Sequence, residues 1–181
     1  MKRSLVAVVA LATAGCGNSV QVRTQAAPGF STAGRSTFRI LPVPRPGNGV
    51  ALATNDPMLE SSIINQRLRE DVRQALESRG YRRAAGGPAD LDVAIYAAAN
   101  QALDIHTFDY GYTWRGWPRE YTEATPYERG TVIIDFVDPR THQLLWRGQG
   151  VAQVSDNPDR YANELNKVVQ SIARKMPAAG G

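Results

Sequence analysis

Thr131-Val132-Ile133-Ile134-Asp135-Phe136-Val137, then Asp138-Pro139-Arg140-Thr141-His142, then a second apolar run from Leu144-Leu145-Trp146-Arg147-Gly148 to residue 154: this stretch decides the fold. All of the first seven residues except Asp135 are β-branched or aromatic, the types that fit a pleated, half-buried surface. The Asp-Pro pair and the polar residues after it supply a turn. At a period of two, Val132, Ile134 and Phe136 share one face, and so do Leu144, Trp146, Ala152 and Val154. A hairpin that turns both faces to one core is the economical solution, and parity then predicts Ile134 as the neighbour of Trp146. Glycine inside a strand marks geometry, so Gly148 reads as a bulge.

Working outward, Leu91, Val93, Ile95, Ala97 and Ala99 alternate with Asp92, Ala94, Tyr96, Ala98 and Asn100, which predicts a strand with one buried face. The alternation resumes at Leu103 and Ile105. One straight strand of that length would be unusual, so a bend is expected near Asn100 or Gln101. Phe38 to Leu41 reads as a first strand, stopped by Pro42, Pro44, Pro46, Gly47 and Gly49. Asp56-Pro57 is a helix start, since the carboxylate caps free amides and proline is preset for the first turn. Leu59, Ile63, Leu68, Val72 and Leu76 trace the buried stripe of a helix over 57–79. Gly80 stops it, and Tyr81 folds back on its last turn. Asn157-Pro158 repeats the start, with Tyr161, Leu165, Val168, Val169, Ile172 and Met176 as the stripe and Pro177 as the close. The order β-α-β-β-β-α predicts an α+β, two-layer domain: a mixed or antiparallel sheet of about four strands with two helices on one face.

The amino terminus is an address. Lys2 and Arg3 precede an apolar stretch from Leu5 to Leu11, followed by Ala12, Thr13, Ala14 and Gly15 immediately before Cys16. That is the layout of a secretory signal over residues 1–15, and its apolar part is too short to stay in a bilayer as a spanning helix. Cys16 is the sole cysteine, so no intramolecular disulfide can form. Thr13-Ala14-Gly15-Cys16 resembles the lipobox of bacterial lipoproteins, with Thr13 where leucine is usual. The resemblance implies a diacylglycerol thioether and an acylated amino terminus on Cys16, with palmitate among the acyl chains. Gly17, where an aspartate would imply inner-membrane retention, favours the periplasmic face of the outer membrane. Residues 16–35, small and polar with Pro28, Gly29 and Gly34, read as a lipidated tether; 36–177 as the domain; 178–181 as a disordered tail.

The formal charge of +4 falls to +2 once Lys2 and Arg3 leave with the signal, too weak and dispersed for a nucleic-acid footprint. The usual nucleophile-elbow, phosphate-loop and metalloprotease templates are missing, and no cofactor is called for. His106 and His142, far apart in sequence, fall short of the three or four ligands a zinc site wants. Glu120 and Glu123, with Asp104 and Asp109 nearby, raise the question of a glycan-processing enzyme, in which two acids flank the scissile bond. Loop spacing fixes no distance between them, and solvated loop charges are the plainer reading. Tyr110, Tyr112, Trp114, Trp117 and Tyr121 fall among Gly111, Gly116 and Pro118 with no helix or strand period. Such rings either form a partner, glycan or lipid surface, with Trp114 and Trp117 exposed, or pack over the sheet as a satellite cluster.

Ile134-Asp135-Phe136-Val137-Asp138-Pro139-Arg140-Thr141 with Leu144-Leu145-Trp146-Arg147-Gly148, together with Arg79-Gly80-Tyr81 and Ala89-Asp90-Leu91, resembles a family of bacterial lipoproteins catalogued as domain of unknown function 4136. The resemblance covers roughly residues 20 to 176. It implies an envelope location and a fold type, and it carries over no site except Cys16. The expectation is a non-enzymatic envelope lipoprotein that binds a periplasmic protein or a cell-wall component, with a glycan-processing enzyme as the alternative.

Overall fold

The computed structural model describes residues 20–42, 63–97 and 130–181. These form strands β1 (Val22–Ala26) and β2 (Thr37–Ile40), helix α1 (Ile63–Ser78), strands β3 (Arg82–Arg83), β4 (Leu91–Ala97), β5 (Thr131–Val137) and β6 (Leu144–Val151), and helix α2 (Pro158–Lys175). The described strands make one mixed sheet in the order β1-β6-β5-β4-β2-β3. β1, β6, β5 and β4 pair antiparallel, whereas β2 runs parallel to both β4 and β3. The α+β class is as expected; the sheet has six described strands rather than about four.

One of the added strands lies in the segment read as a tether. β1 pairs with β6 from Val22 opposite Gly150 to Ala26 opposite Trp146. It is an edge strand, exposed along most of its length, so backbone hydrogen bonds hold it and no apolar alternation announces it. Lys175 strengthens the hold, donating from Nζ to the Val22 carbonyl at 2.7 Å. β3 is only two residues long and too short to carry a pattern.

Both helices pack on one face of the sheet. Leu68, Val72 and Leu76 of α1 join Leu165, Val168 and Ile172 of α2 over Phe38, Leu91, Val93, Val132, Ile134, Phe136 and Trp146 in a single core. Asn157 caps α2 by accepting from the Arg160 amide at 2.9 Å, with Pro158 in the first turn. Gly80 takes φ +89° and ends α1, where an L side chain would be strained. Tyr81 then folds back, its amide donating to the Leu76 carbonyl at 3.1 Å and its ring meeting Phe136 edge-on. Ile63, assigned to the buried stripe of α1, is 69% exposed. The expected helix start at Asp56-Pro57 and the bend near Asn100 or Gln101 lie outside the described residues.

The hairpin keeps the expected parity and shifts the register. Phe136, not Ile134, stands opposite Trp146, their rings 5.0 Å apart, and Ile134 stands opposite Gly148. The irregularity falls between Phe136 and Val137, so Gly148 is not a bulge. It is bare because the space is taken: a Cβ there would come within 2.5 Å of the Trp146 indole and 2.6 Å of Ile172. β6 ends at Val151, short of residue 154.

The carboxy-terminal residues expected to fray are pinned instead. Thr32 Oγ1 donates to the Ala178 carbonyl at 2.7 Å, the Ala179 amide to the Arg79 carbonyl at 2.9 Å and the Gly180 amide to the Arg35 carbonyl at 3.3 Å. Tyr81 Oη adds a bond to the Pro177 carbonyl at 3.1 Å. A polar loop and tail satisfy each other's backbone here, which hydrophobicity alone does not foretell.

Candidate functional surface

Strand direction gives the domain two unlike ends. β1 starts opposite the end of β6, β5 starts beside that same end with Thr131 opposite Val151, and β4 finishes there with Ala97 opposite Val132. β2, parallel to β4, finishes toward that end as well. The helices run side by side in the same sense: Arg67 near the start of α1 bonds Asp159 in the first turn of α2 at 2.8 Å, while Tyr81 and Pro177 meet beyond their far ends. Arg69 ties α1 to the finish of β2 by donating to the Leu41 carbonyl at 2.8 Å. One pole therefore gathers Val20, Pro42, Ile63, Ala97, Gly130 and Val151. Ile63 and Val151, the latter 43% exposed, are the large exposed apolar residues among those described. Gly130 lets two backbones meet at this pole: it takes φ +83°, and a Cβ would stand 2.2 Å from the Ala152 carbonyl oxygen.

The opposite pole is closed by polar chemistry. Asp90 accepts from the amides of Ser36 and Thr37 at 3.0 and 2.8 Å and from Thr37 Oγ1 at 2.7 Å. The Ser36 amide, the Thr37 hydroxyl and the Thr37 amide hold its carboxyl below the usual value. Asp138 closes the hairpin turn by accepting from the Arg140 and Thr141 amides at 2.9 and 3.1 Å. Burial pushes its carboxyl up, but those amides and Arg35, 3.6 Å away, outweigh burial and leave it lowered. His142 sits in this turn at φ +58°.

The sheet face turned away from the helices carries buried charge. Arg147 Nε and Nη2 bond Asp135 Oδ1 and Oδ2 at 2.8 and 2.6 Å, with Asp135 1% and Arg147 7% exposed. Arg39 makes the same two-pronged contact with Asp92 at 2.9 Å for both bonds. Ala94, Tyr96, Ile133 and Val137 are buried around these pairs. A fork-to-fork pair gives each carboxylate oxygen a donor and sets an opposite charge beside it, which fixes both side chains in place. Residue-by-residue reading missed them. The available clue was that Asp135 and Arg147 both occupy odd positions of adjacent strands, where a paired register sets them face to face.

Cys16, Tyr110, Tyr112, Trp114, Trp117, Tyr121, Glu120, Glu123, Asp104, Asp109 and His106 lie outside the described residues. Segment 98–129, which holds all of these except Cys16, leaves and rejoins the described chain at Ala97 and Gly130, both on the first pole. Among the described residues no cluster of three or more histidine, cysteine or carboxylate side chains could hold a metal ion. No helix among them is long and apolar enough to cross a membrane.

Among the described residues the fold is a two-layer α+β arrangement, two helices on one face of a mixed sheet. The sequence profile of the family described as domain of unknown function (DUF4136) matches residues 20–178, and the chain belongs to that family. A solved structure of a DUF4136 family protein from Bacteroides thetaiotaomicron is similar, with TM-score 0.50 and 14% identity over 87% of this chain and 96% of that one. More distant likenesses are to a PelC dodecamer from Paraburkholderia phytofirmans (TM-score 0.40, 11% identity, 84% of this chain and 96% of that one) and to a PDZ domain protein from Parabacteroides distasonis (TM-score 0.43, 12% identity, 90% and 38%). No curated protein sequence matches the chain.

Proposed function

We propose that the protein is a bacterial envelope lipoprotein, anchored through acylated Cys16 to the periplasmic face of the outer membrane, whose domain binds a periplasmic protein or a cell-wall component rather than catalysing a reaction. The observation that carries this reading is the placement of β1. The sheet begins at Val22, and a fully extended chain from Cys16 spans at most about 20 Å over those residues. An acyl anchor on Cys16 therefore holds the folded domain at the membrane surface instead of letting it range on a long tether. Two or three acyl chains, each methylene contributing ~0.8 kcal/mol, suffice for lasting attachment.

The test is Cys16→Ala with metabolic palmitate labelling and fractionation. The wild type is expected to take up label and sediment with outer membranes, and the variant to lose label and appear in the soluble fraction. A wild-type protein that sediments with membranes without label would overturn the reading.

A further inference from the structure

From the polarity of the domain we infer that the pole bearing Val20, Ile63 and Val151 is a membrane-facing surface, which rests on the phospholipid headgroups of the bilayer that holds Cys16. The inference rests on the lipoprotein reading above and deepens it. Its first support is the place of Val20, two residues before β1 at this pole. Val20 lies four residues beyond Cys16, a reach of roughly 14 Å at full extension. That is too short for the anchor to pass along the sheet to the opposite pole, because β6 alone spans eight residues, about 26 Å at the usual rise of a strand.

The second support is chemical. Ile63 occupies a position whose helical spacing assigns it to the core, yet it projects into solvent 69% exposed at the first turn of α1. Val151, at the end of β6, is the other large apolar side chain left open among the described residues, and strand and helix direction place it at the same pole. Single exposed apolar residues need no explanation by themselves. Two at one end, with the anchor entering at that end, match the shallow apolar contacts of a surface-bound domain. The far pole shows the reverse chemistry: an amide-capped Asp90, an amide-capped Asp138 and a hydrogen-bonded tail, all suited to water.

The experiment uses the full acylated protein in vesicles of phosphatidylethanolamine and phosphatidylglycerol. Ile63→Cys, Val151→Cys and, at the far pole, Arg140→Cys each carry a polarity-sensitive fluorophore, the native thiol being blocked as a thioether. These positions are exposed, so substitution leaves folding nearly untouched. Labels at 63 and 151 are expected to shift to the blue, to be quenched by lipids carrying a headgroup-level quencher, and to be protected several-fold from aqueous iodide relative to the label at 140. Equal iodide access at all three positions would overturn the orientation, as would lipid quenching at 140. Protection at 63 and 151 in intact cells without quenching in vesicles would assign the pole to a protein partner and defeat the membrane proposal. Mass spectrometry of the same sample separates the two levels: a chain without acyl mass ends the anchor reading and this orientation with it, whereas an acylated chain with uniform iodide access ends the orientation alone.

Discussion

The two faces of the central strands are buried to a similar degree, one by apolar side chains alone and the other by apolar side chains mixed with paired charges. Toward the helices, Val93, Ile95, Ile134, Phe136 and Trp146 make an apolar layer with the helix side chains interleaved. On the reverse, Asp92 and Asp135 are also about 1% exposed, and each is neutralised by an arginine fork. Burial in this domain therefore does not mean apolar. The helix face gains from removing hydrocarbon from water; the reverse face depends on pairing, and a buried pair can cost as much in desolvation as it returns.

The largest expected effects set one face against the other. Trp146→Ala should lower stability by about 3–5 kcal/mol, the usual loss for truncating a buried large aromatic, read as a lower denaturant midpoint. An unchanged midpoint would show that the helix face tolerates a hole where Trp146 meets Phe136. Asp135→Ala should cost a comparable ~3–5 kcal/mol, because it removes the carboxylate that both prongs of the buried Arg147 guanidinium bond. The reverse face separates from the helix face in the double replacement: Asp135→Leu with Arg147→Met should recover most of that loss, since well-packed apolar residues often match a buried ion pair. A double variant as unstable as Asp135→Ala would show that the pair contributes more than mutual neutralisation.

A smaller effect reads the polar pole through pH. The folded-state carboxyl of Asp90 lies below its unfolded value, so its contribution is fully present above the unfolded pKa of about 3.9 and is lost as pH falls through the folded value. The stability advantage of wild type over Asp90→Asn should therefore be level near neutrality and shrink below about pH 4. An advantage that stays constant down to acid unfolding would mean that the caps at Ser36 and Thr37 do not depend on charge. The smallest expected stability change is in the aromatic segment. A Trp114→Ala, Trp117→Ala double variant should stay within ~0.5 kcal/mol of wild type while losing its envelope partner, and Glu120→Gln should leave both unchanged. A large drop in melting temperature would assign those rings to packing; loss of function on Glu120→Gln alone would favour the glycan-processing alternative.

By itself the sequence determined the elements whose burial is one-sided and local. α2 was legible from its cap, its proline and its stripe, because a helix reports its buried face every three to four residues whatever it packs against. The stop at Gly80 and the hairpin of β5 and β6 were legible for the same local reasons, and the Cys16 anchor was readable as an expectation only from sequence. Tertiary structure alone decided the rest. Trp146 stands opposite Phe136 instead of Ile134, a difference of two that preserves parity and so leaves no trace in the pattern. β1 and the docked tail are held by backbone hydrogen bonds, which place no demand on side-chain identity. Ile63 shows the converse: periodicity marks a residue as able to enter a core, but only the tertiary structure, in which it is 69% exposed, leaves it outside.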